Sequence, residues 1–183
     1  IDSDYTYTPT VQNEFLDFLK VIDMRNWKEK NNLKNRVLSY KKAIYYQEGL
    51  EKDNYSPIID RYKISKNKKL ILISFPPDFS ILKDLIYNNE PDELILAFNR
   101  KDLYEKDSFL NKLMALIKYV LNEKNGMLNI SELAVLTGEL EVTIEVALKF
   151  LEAAGYLYLD KISENHYFIK RGNKIAEGKK NIY

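Results

Sequence analysis

The chain has 183 residues, 45% of them hydrophobic, which is enough apolar material for one ordinary domain or two small ones. Its formal net charge of only +1 excludes a polybasic nucleic-acid coat and a membrane-surface anchor, so any basic footprint must be local. The absence of cysteine excludes a disulfide framework, a thiolate nucleophile and every zinc site that uses sulfur.

Four short apolar runs in the first half of the chain predict buried strands. They cover residues 18–23, 43–47, 70–75 and 94–98. Their hydrophobicity is continuous rather than alternating, as is typical of strands covered on both faces of a parallel sheet. Strands of this kind, alternating with helices, predict right-handed crossovers. We therefore expect an α/β domain over residues 1–105, with a small, open, mostly parallel sheet and flanking helices.

Two helices are predicted between these strands. The first covers residues 32–40. The second covers residues 78–87 and follows two prolines, which are tolerated at a helix start. The residues expected on its buried face are Phe79, Leu82, Leu85 and Ile86. The basic stretch 61–69 is interpreted as a solvated connection or as the exposed edge of a strand.

A different pattern begins near residue 106 and predicts a winged helix-turn-helix domain over residues 106–183, with a basic C-terminal tail. Apolar residues recur at helical spacing from an N-cap at Ser108 to a stop at Gly126. Helices over 131–138 and 141–154 follow, and then strands over 156–160 and 166–170 around a polar turn. Helix, helix, tight turn, helix and β-hairpin is the element order of a winged helix.

The third helix of this unit would be the one that reads DNA. The apolar residues expected to face inward are Val142, Val146, Phe150 and Leu151. Its charged residues are Glu141, Glu145, Lys149 and Glu152. Because attraction to phosphates supplies most of the sequence-independent affinity of a DNA-binding protein, an acidic helix argues against ordinary docking in the major groove. We therefore expect a protein contact at least as readily as a DNA contact.

The sequence contains no recognisable catalytic motif. It has neither a phosphate-cradling glycine loop nor a nucleophile elbow. The single histidine, His166, lies in the predicted wing and is interpreted as a half-exposed residue, since one histidine alone makes neither a metal site nor a catalytic triad. We predict that the chain is not an enzyme by itself and holds no cofactor or metal.

Polar residues after the first strand are candidates for a ligand crevice. Asp23, Arg25 and Asn26 follow that strand, with Trp27 as a stacking or packing wall. The carboxyl ends of strands line the ligand crevice in open α/β sheets. The structural alternative is that Asp23 and Arg25 pair with each other while Trp27 closes the core.

Basic charge is concentrated at the end of the chain. Residues 161–183 hold six basic side chains against two acidic ones, interleaved with aromatic rings. The candidate nucleic-acid-binding residues are Lys161, Tyr167, Lys170, Arg171, Lys174, Lys179 and Lys180. A basic surface mixed with aromatic rings suits single-stranded nucleic acid, because bases stack on rings while phosphates meet cationic groups. A solvated hairpin edge kept soluble by lysines explains the same pattern.

Several sequence segments of the chain resemble the C-terminal region of RecJ-type single-strand-specific exonucleases. They are VIDMRNWKEK, AIYYQEG, ILISFPPDFSILKDLI, PDELILAF, FLNKLMALIKYVL and ISELAVLTGELEVTIEVALKFLEAAGYLYL, followed by the lysine-rich tail. The resemblance runs from about residue 17 to the end. It lies in the order of elements and in loose hydrophobic phrases rather than in one specific motif.

This resemblance implies a non-catalytic accessory region of a DNA repair and recombination enzyme. In that family, two divalent metals are held by Asp- and His-rich motifs of N-terminal domains, and none of those motifs occurs here. The implied partners are single-stranded DNA, bound weakly, the rest of the parent exonuclease, and a helicase or single-strand-binding protein. The alternatives are a winged-helix protein-interaction module and a transcription regulator with an N-terminal α/β sensor domain.

The expected compartment is the cytoplasm, without a membrane partner. The N-terminal residues have neither the basic nor the apolar region of a signal peptide, and no apolar run is long enough for a membrane span. Because the chain lacks an initiator methionine, we interpret it as a processed product or, preferably, as a piece of a longer protein.

Overall fold

A five-stranded parallel sheet forms the first half of the chain. The computed structural model describes residues 19–25, 35–49, 56–98 and 106–173, without the side chains of 106–108. The strands are β1 (Lys20–Asp23), β2 (Ala43–Tyr46), β3 (Ile58–Ile59), β4 (Lys69–Leu72) and β5 (Glu93–Leu96). They are arranged in the order β1-β5-β4-β2-β3, and every neighbouring pair is parallel. The predicted α/β class and the predicted parallel sheet are confirmed. The two-residue strand β3 was not predicted.

Both faces of the sheet are covered, as the continuous apolar runs predict. One face packs against helix α1 (Phe79–Asn89), through Leu85 and Ile86. The other face packs against residues around Val37, which lies in a helical turn at 35–38. Helix α1 is capped by Asp78, whose carboxylate accepts a hydrogen bond from the backbone N–H of Ser80 at 2.7 Å. This N-cap satisfies one of the backbone donors that a helix start leaves open.

Phe79 was wrongly predicted to lie on the buried face of α1, since it is 76% exposed. The buried side of the helix is centred on Leu85, Ile86 and Asn89. At 3.6 residues per turn, Phe79 lies about 80° around the helix from the middle of that side. It also begins the helix, so its side chain lies beyond the part of α1 that contacts the sheet.

Three helices and three strands form the second half of the described chain, and the last two strands make a hairpin. These elements are α2 (Lys106–Glu123), β6 (Met127–Asn129), α3 (Ile130–Thr137), α4 (Glu141–Ala153), β7 (Leu157–Lys161) and β8 (His166–Arg171). The strands form an antiparallel sheet in the order β6-β8-β7. Gly126 joins α2 to β6 with a φ of +81°, and a Cβ there would lie 2.4 Å from the carbonyl oxygen of Ile169. The close approach of β6 to β8 therefore requires glycine at this position.

This second half has a hydrophobic core of its own. The core residues come from all six elements, and the most deeply buried are Leu113, Leu128, Ile130, Ala134, Ile144, Leu148, Leu157 and Ile169. The core of the parallel sheet is separate, with one cluster on each face. None of the helices formed by the described residues is long and apolar enough to cross a membrane.

Of the four residues of α4 that were predicted to face inward, only Leu151 does so. Ile144, Leu148 and Leu151 face the core. Val142, Val146 and Phe150 were expected to face inward, but they are 62%, 62% and 63% exposed. Both triplets recur at helical spacing, and they lie on opposite sides of the helix because Val146 is about 160° from Leu148 at 3.6 residues per turn. Periodicity alone could not select which triplet packs against α2 and α3.

Candidate macromolecular contact surfaces

The proposed ligand crevice after β1 is occupied by an ion pair. Arg25 donates from Nε to Asp23 Oδ1 at 2.8 Å and from Nη2 to Asp23 Oδ2 at 2.5 Å, and its backbone N–H donates to Oδ1 at 3.0 Å. The guanidinium also lies 5.3 Å from the ring centroid of Phe98. The hydrogen bond with Asp23 raises the pKa of Arg25. This is the pairing that the structural alternative predicts, and a ligand role stays a prediction. Asn26 and Trp27 lie outside the described residues.

A second ion pair, at the carboxyl ends of β2 and β3, has both side chains largely buried. Arg61 donates from its backbone N–H and from Nε to Glu48 Oε1, both at 2.9 Å, and Nη2 contacts the other carboxylate oxygen. The side chains are 6% and 0% exposed. Burial alone would lower the pKa of Arg61, but the hydrogen bonds and the charge of Glu48 raise it above the ordinary value. The prediction that stretch 61–69 is a solvated connection or a strand edge is therefore wrong at Arg61.

The end of the parallel sheet beside this ion pair contacts α3 and the start of α4. The backbone N–H of Gly49 donates to the carbonyl oxygen of Val135 in α3 at 2.9 Å. The hydroxyl of Tyr62 donates to Glu141 Oε1 at 2.5 Å, and the hydroxyl of Ser131 donates to the same oxygen at 2.7 Å. The hydrogen bond from Tyr62, then that from Ser131, lowers the pKa of Glu141. The two halves of the molecule thus share a polar contact beside two separate cores.

Glu139, just before α4, has the opposite electrostatic environment. Burial raises the pKa of Glu139, and the positive charges of Arg61 and Lys112 offset only part of that effect. A partly desolvated carboxylate at this position is destabilised in its charged form. The contact between the halves therefore contains one glutamate that favours ionisation, Glu141, and one that resists it.

An apolar stripe covers the outer side of α4. Val142, Val146 and Phe150 follow one another at four-residue intervals over about 12 Å of helix. Glu145 and Lys149 lie beside them, with their charged groups 3.9 Å apart. This set of three residues is called the α4 stripe below. Runs of exposed apolar side chains on one helix face are typical of binding surfaces.

The exposed residues on the antiparallel sheet of the second half are partly basic. Lys161 lies with Nζ 5.6 Å from the ring centroid of Tyr167, and Lys170 lies with Nζ 5.3 Å from that of Phe168. Arg171 donates from Nη2 to Asn122 on α2 at 2.8 Å. All three basic side chains belong to exposed residues. Lys174, Lys179 and Lys180 lie outside the described residues.

Tyr167 does not offer the stacking surface that was predicted for it, because it is only 6% exposed and belongs to the core. Successive side chains of a strand point to opposite faces, so Phe168 lies on the outer face instead. The register places Met127 and Asp160 opposite Phe168, and Tyr158 opposite Lys170, on that same face. The alternation of Leu157, Tyr158 and Leu159 would have indicated this arrangement from the sequence.

In a chain without cysteine, a metal site would have to use acidic residues or the single histidine as ligands. His166 is exposed, and its ring nitrogens lie 3.1 Å from Asn129 Nδ2 and 3.2 Å from Ser163 Oγ. In the part of the chain that the structure describes, no three His, Asp or Glu side chains come together as metal ligands would.

No protein-family model matches the chain, and neither a curated protein nor a solved structure matches it.

Proposed function

We propose that the second half of the chain is a winged helix that binds another protein through α4. Its elements follow the order helix, strand, helix, helix, hairpin, with the three strands in one antiparallel sheet. In a winged helix, the third helix is the recognition element. Helix α4 is the third helix of this unit, so its outer side would be the surface that contacts a partner.

The observation that carries this proposal is the exposure of the α4 stripe. A helix that reads DNA contacts phosphates and base edges through basic and polar side chains. The outer side of α4 instead presents Val142, Val146 and Phe150, and the helix holds three glutamates and one lysine. Contiguous apolar side chains within a polar rim fit a protein interface, in which the apolar centre supplies most of the binding energy.

We further propose that this winged helix belongs to a non-catalytic accessory region of a RecJ-like single-strand-specific exonuclease. The resemblance in the phrases of residues 17–183 supports this parentage. Chemistry on DNA would then be performed by other domains of the parent enzyme, which would hold the two divalent metals. The present chain would recruit a helicase or a single-strand-binding protein, or would dock against the catalytic domains in DNA repair and recombination.

Binding of the 183-residue chain to these three candidate partners tests the protein-contact role. The test variant replaces Val142, Val146 and Phe150 by serine. The control variant replaces Leu110 and Met114, which are exposed apolar residues of α2, by serine. Calorimetric titration should show at least a tenfold loss of affinity for one partner with the test variant and no loss with the control. Failure to bind all three partners, or equal losses with the two variants, would contradict the proposal.

Weak binding of single-stranded DNA is a second candidate function, favoured by the exposed Lys161, Lys170 and Arg171 of the hairpin. Residues 106–173 hold eight basic and nine acidic side chains, so the lysine-rich tail would have to contribute. Titration of a labelled oligonucleotide at low salt checks this role. Replacing Lys170, Arg171 and Lys174 by glutamate should abolish binding, and binding indifferent to that change would eliminate the DNA role.

A further inference from the structure

The end of α3, the turn after it and the start of α4 lie beside the carboxyl ends of β2 and β3. These residues, 135–141, are called the lid segment below. The backbone N–H of Gly49 donates to the carbonyl oxygen of Val135 at 2.9 Å. A Cβ added at Gly138 would lie 3.9 Å from the backbone nitrogen of Gly49 and 3.9 Å from the carbonyl carbon of Glu48. The lid segment therefore contacts the chain just after β2, beside the largely buried ion pair.

Among the described residues, no hydrophobic cluster joins the lid segment to the parallel sheet. Each of the three buried clusters takes its residues from one half of the molecule alone. Two parts of a chain that share no hydrophobic core are able to move relative to each other. The hydrogen bond from the Tyr62 hydroxyl to Glu141 has a charged acceptor, and it is therefore stronger than the one from Gly49 to Val135.

We propose that the lid segment opens and closes over the carboxyl ends of β2 and β3, and that the hydrogen bond from Tyr62 to Glu141 holds it closed. In the closed state, the side chains of Glu48 and Arg61 are 0% and 6% exposed. Opening would admit water to this ion pair, at the edge where open α/β sheets bind their ligands. The lid is a property of the contact between the two halves, and it does not depend on which partner α4 binds.

Opening would leave Glu141 with a hydrogen-bond partner in its own half of the molecule. The hydroxyl of Ser131 donates to the same Oε1 at 2.7 Å, and Asn165 Nδ2 donates to the Ser131 oxygen at 3.1 Å. The released hydroxyl of Tyr62, a residue that is 53% exposed, would bond to water instead. Because water replaces the hydrogen bonds that opening breaks, opening costs less free energy than unfolding either half.

Hydrogen exchange of single backbone amides, followed by NMR on the full 183-residue chain, measures the opening. The amide of Gly49 is hydrogen-bonded across the contact. The amides of Ala97 and Ile169 serve as controls, because they are hydrogen-bonded to Leu72 and Gly126 within the first and the second half. The Gly49 amide should exchange at least about tenfold faster than the control amides, because opening breaks its hydrogen bond and leaves theirs intact.

Two variants weaken the closing hydrogen bond from opposite sides. Tyr62→Phe removes its donor and Glu141→Gln removes the charge of its acceptor. Each should raise the exchange rate of Gly49, relative to the control amides, at least about threefold. In the Tyr62→Phe protein, Glu141→Gln should have no further effect, because the hydrogen bond is already absent. Tyr119→Phe is the matched control, since Tyr119 is a tyrosine of similar exposure on α2, and it should leave all three rates unchanged.

Chemical modification measures access to the ion pair itself. Phenylglyoxal should modify Arg61 at least about threefold faster in the Tyr62→Phe protein than in the wild type, because the lid segment is open for more of the time. The rate at Arg25, whose ion pair lies after β1, should stay the same. Mass spectrometry of the modified peptides measures both rates.

Equal exchange of Gly49 and the control amides would overturn the lid, because the two halves would then separate only on unfolding. Fast exchange of Gly49 that neither variant changes, or additive effects of the two variants, would overturn the closing role of the hydrogen bond between Tyr62 and Glu141. Unchanged modification of Arg61 would overturn the access of water to the ion pair. Partner binding by α4 is measured separately with the serine variants, so its failure would leave these results unaffected.

Discussion

The buried ion pair between Glu48 and Arg61 should be the most sensitive electrostatic feature of the fold. Arg61→Met removes the guanidinium and leaves the carboxylate of Glu48, which is 0% exposed, without its counter-charge. Breaking a buried pair in this way costs about 3–5 kcal/mol. The structure supports that range, since two hydrogen bonds from the guanidinium are lost and each bond to a charged group contributes about 1.5–3 kcal/mol. Urea unfolding followed by circular dichroism measures the loss.

A double-mutant cycle separates the charge from the shape of this site. Glu48→Gln keeps an oxygen that can accept the hydrogen bond from the backbone N–H of Arg61 while removing the negative charge. The double variant should lose less free energy of unfolding than the sum of the two single variants, because no uncompensated charge remains buried. If Arg61→Met does not fold, Arg61→Lys provides a milder change, which keeps the positive charge but not the bidentate hydrogen bonding to Glu48. Additive losses, or single losses below about 1 kcal/mol, would refute the reasoning.

The remaining predictions concern two glutamates and two glycines. Because burial raises the pKa of Glu139, Glu139→Gln should stabilise the protein at neutral pH by about 0.5 kcal/mol, and the gain should disappear as pH falls through the raised pKa. Glu141→Gln should destabilise the protein by a similar amount at pH values above the ordinary pKa of glutamate, because the hydrogen bond from Tyr62 lowers the pKa of Glu141, and that loss should vanish as pH falls through the lowered pKa. Urea unfolding between pH 3 and pH 8 measures the gain from Glu139→Gln and the loss from Glu141→Gln. Parallel pH profiles of the two variants would contradict both predictions. Gly126→Ala should lower the free energy of unfolding by more than about 3 kcal/mol, because the alanine would combine a left-handed φ with a backbone clash. Gly138→Ala should lower it by only about 1–2 kcal/mol, because that position has a left-handed φ without the clash. Equal melting temperatures of the two variants would show that the clash is relieved at no cost.

The parallel sheet was predictable because burial on both faces leaves a direct mark on the sequence. The runs that form β2, β4 and β5 contain almost no polar residue, as strands covered from both sides require. The edge strand β1 is mostly exposed, and its apolar run was nevertheless long enough to be recognised. Strand β3 has two residues, and a segment that short carries no periodicity from which it could be predicted.

Side-chain direction was harder to predict than element type. In α4 two apolar triplets share the same helical period, so the sequence permitted either to be buried, and the packing of α2 and α3 against Ile144 and Leu148 decided between them. In β8 the adjacent aromatic residues Tyr167 and Phe168 point to opposite faces, and the alternation that assigns Tyr167 to the core and Phe168 to the outer face was not used in the prediction. Both errors concern the surfaces that bear on function.

Neither the ion pair between Glu48 and Arg61 nor the contact between the two halves of the molecule had a recognisable sequence signal. Arg61 and Glu48 are thirteen positions apart, and Tyr62 meets Glu141 across 79 positions. Local composition placed Arg61 in a lysine-rich stretch that looked fully solvated. The pairing exists because parallel strands bring their carboxyl ends to one edge of the sheet, where β2 and β3 both end. Such contacts follow from topology, which the sequence specifies only through the whole fold.

The position of Glu141 connects that contact to the proposed docking helix. Glu141 begins α4 and accepts hydrogen bonds from Tyr62 in the first half of the molecule and from Ser131 in the second. The start of α4 is therefore held against the parallel sheet while its stripe, from Val142 onward, remains exposed. A binding surface that is already fixed in place loses less conformational freedom on association than a mobile one. The two halves, which have separate cores, thus act together: the first orients the helix through which the second is proposed to bind its partner.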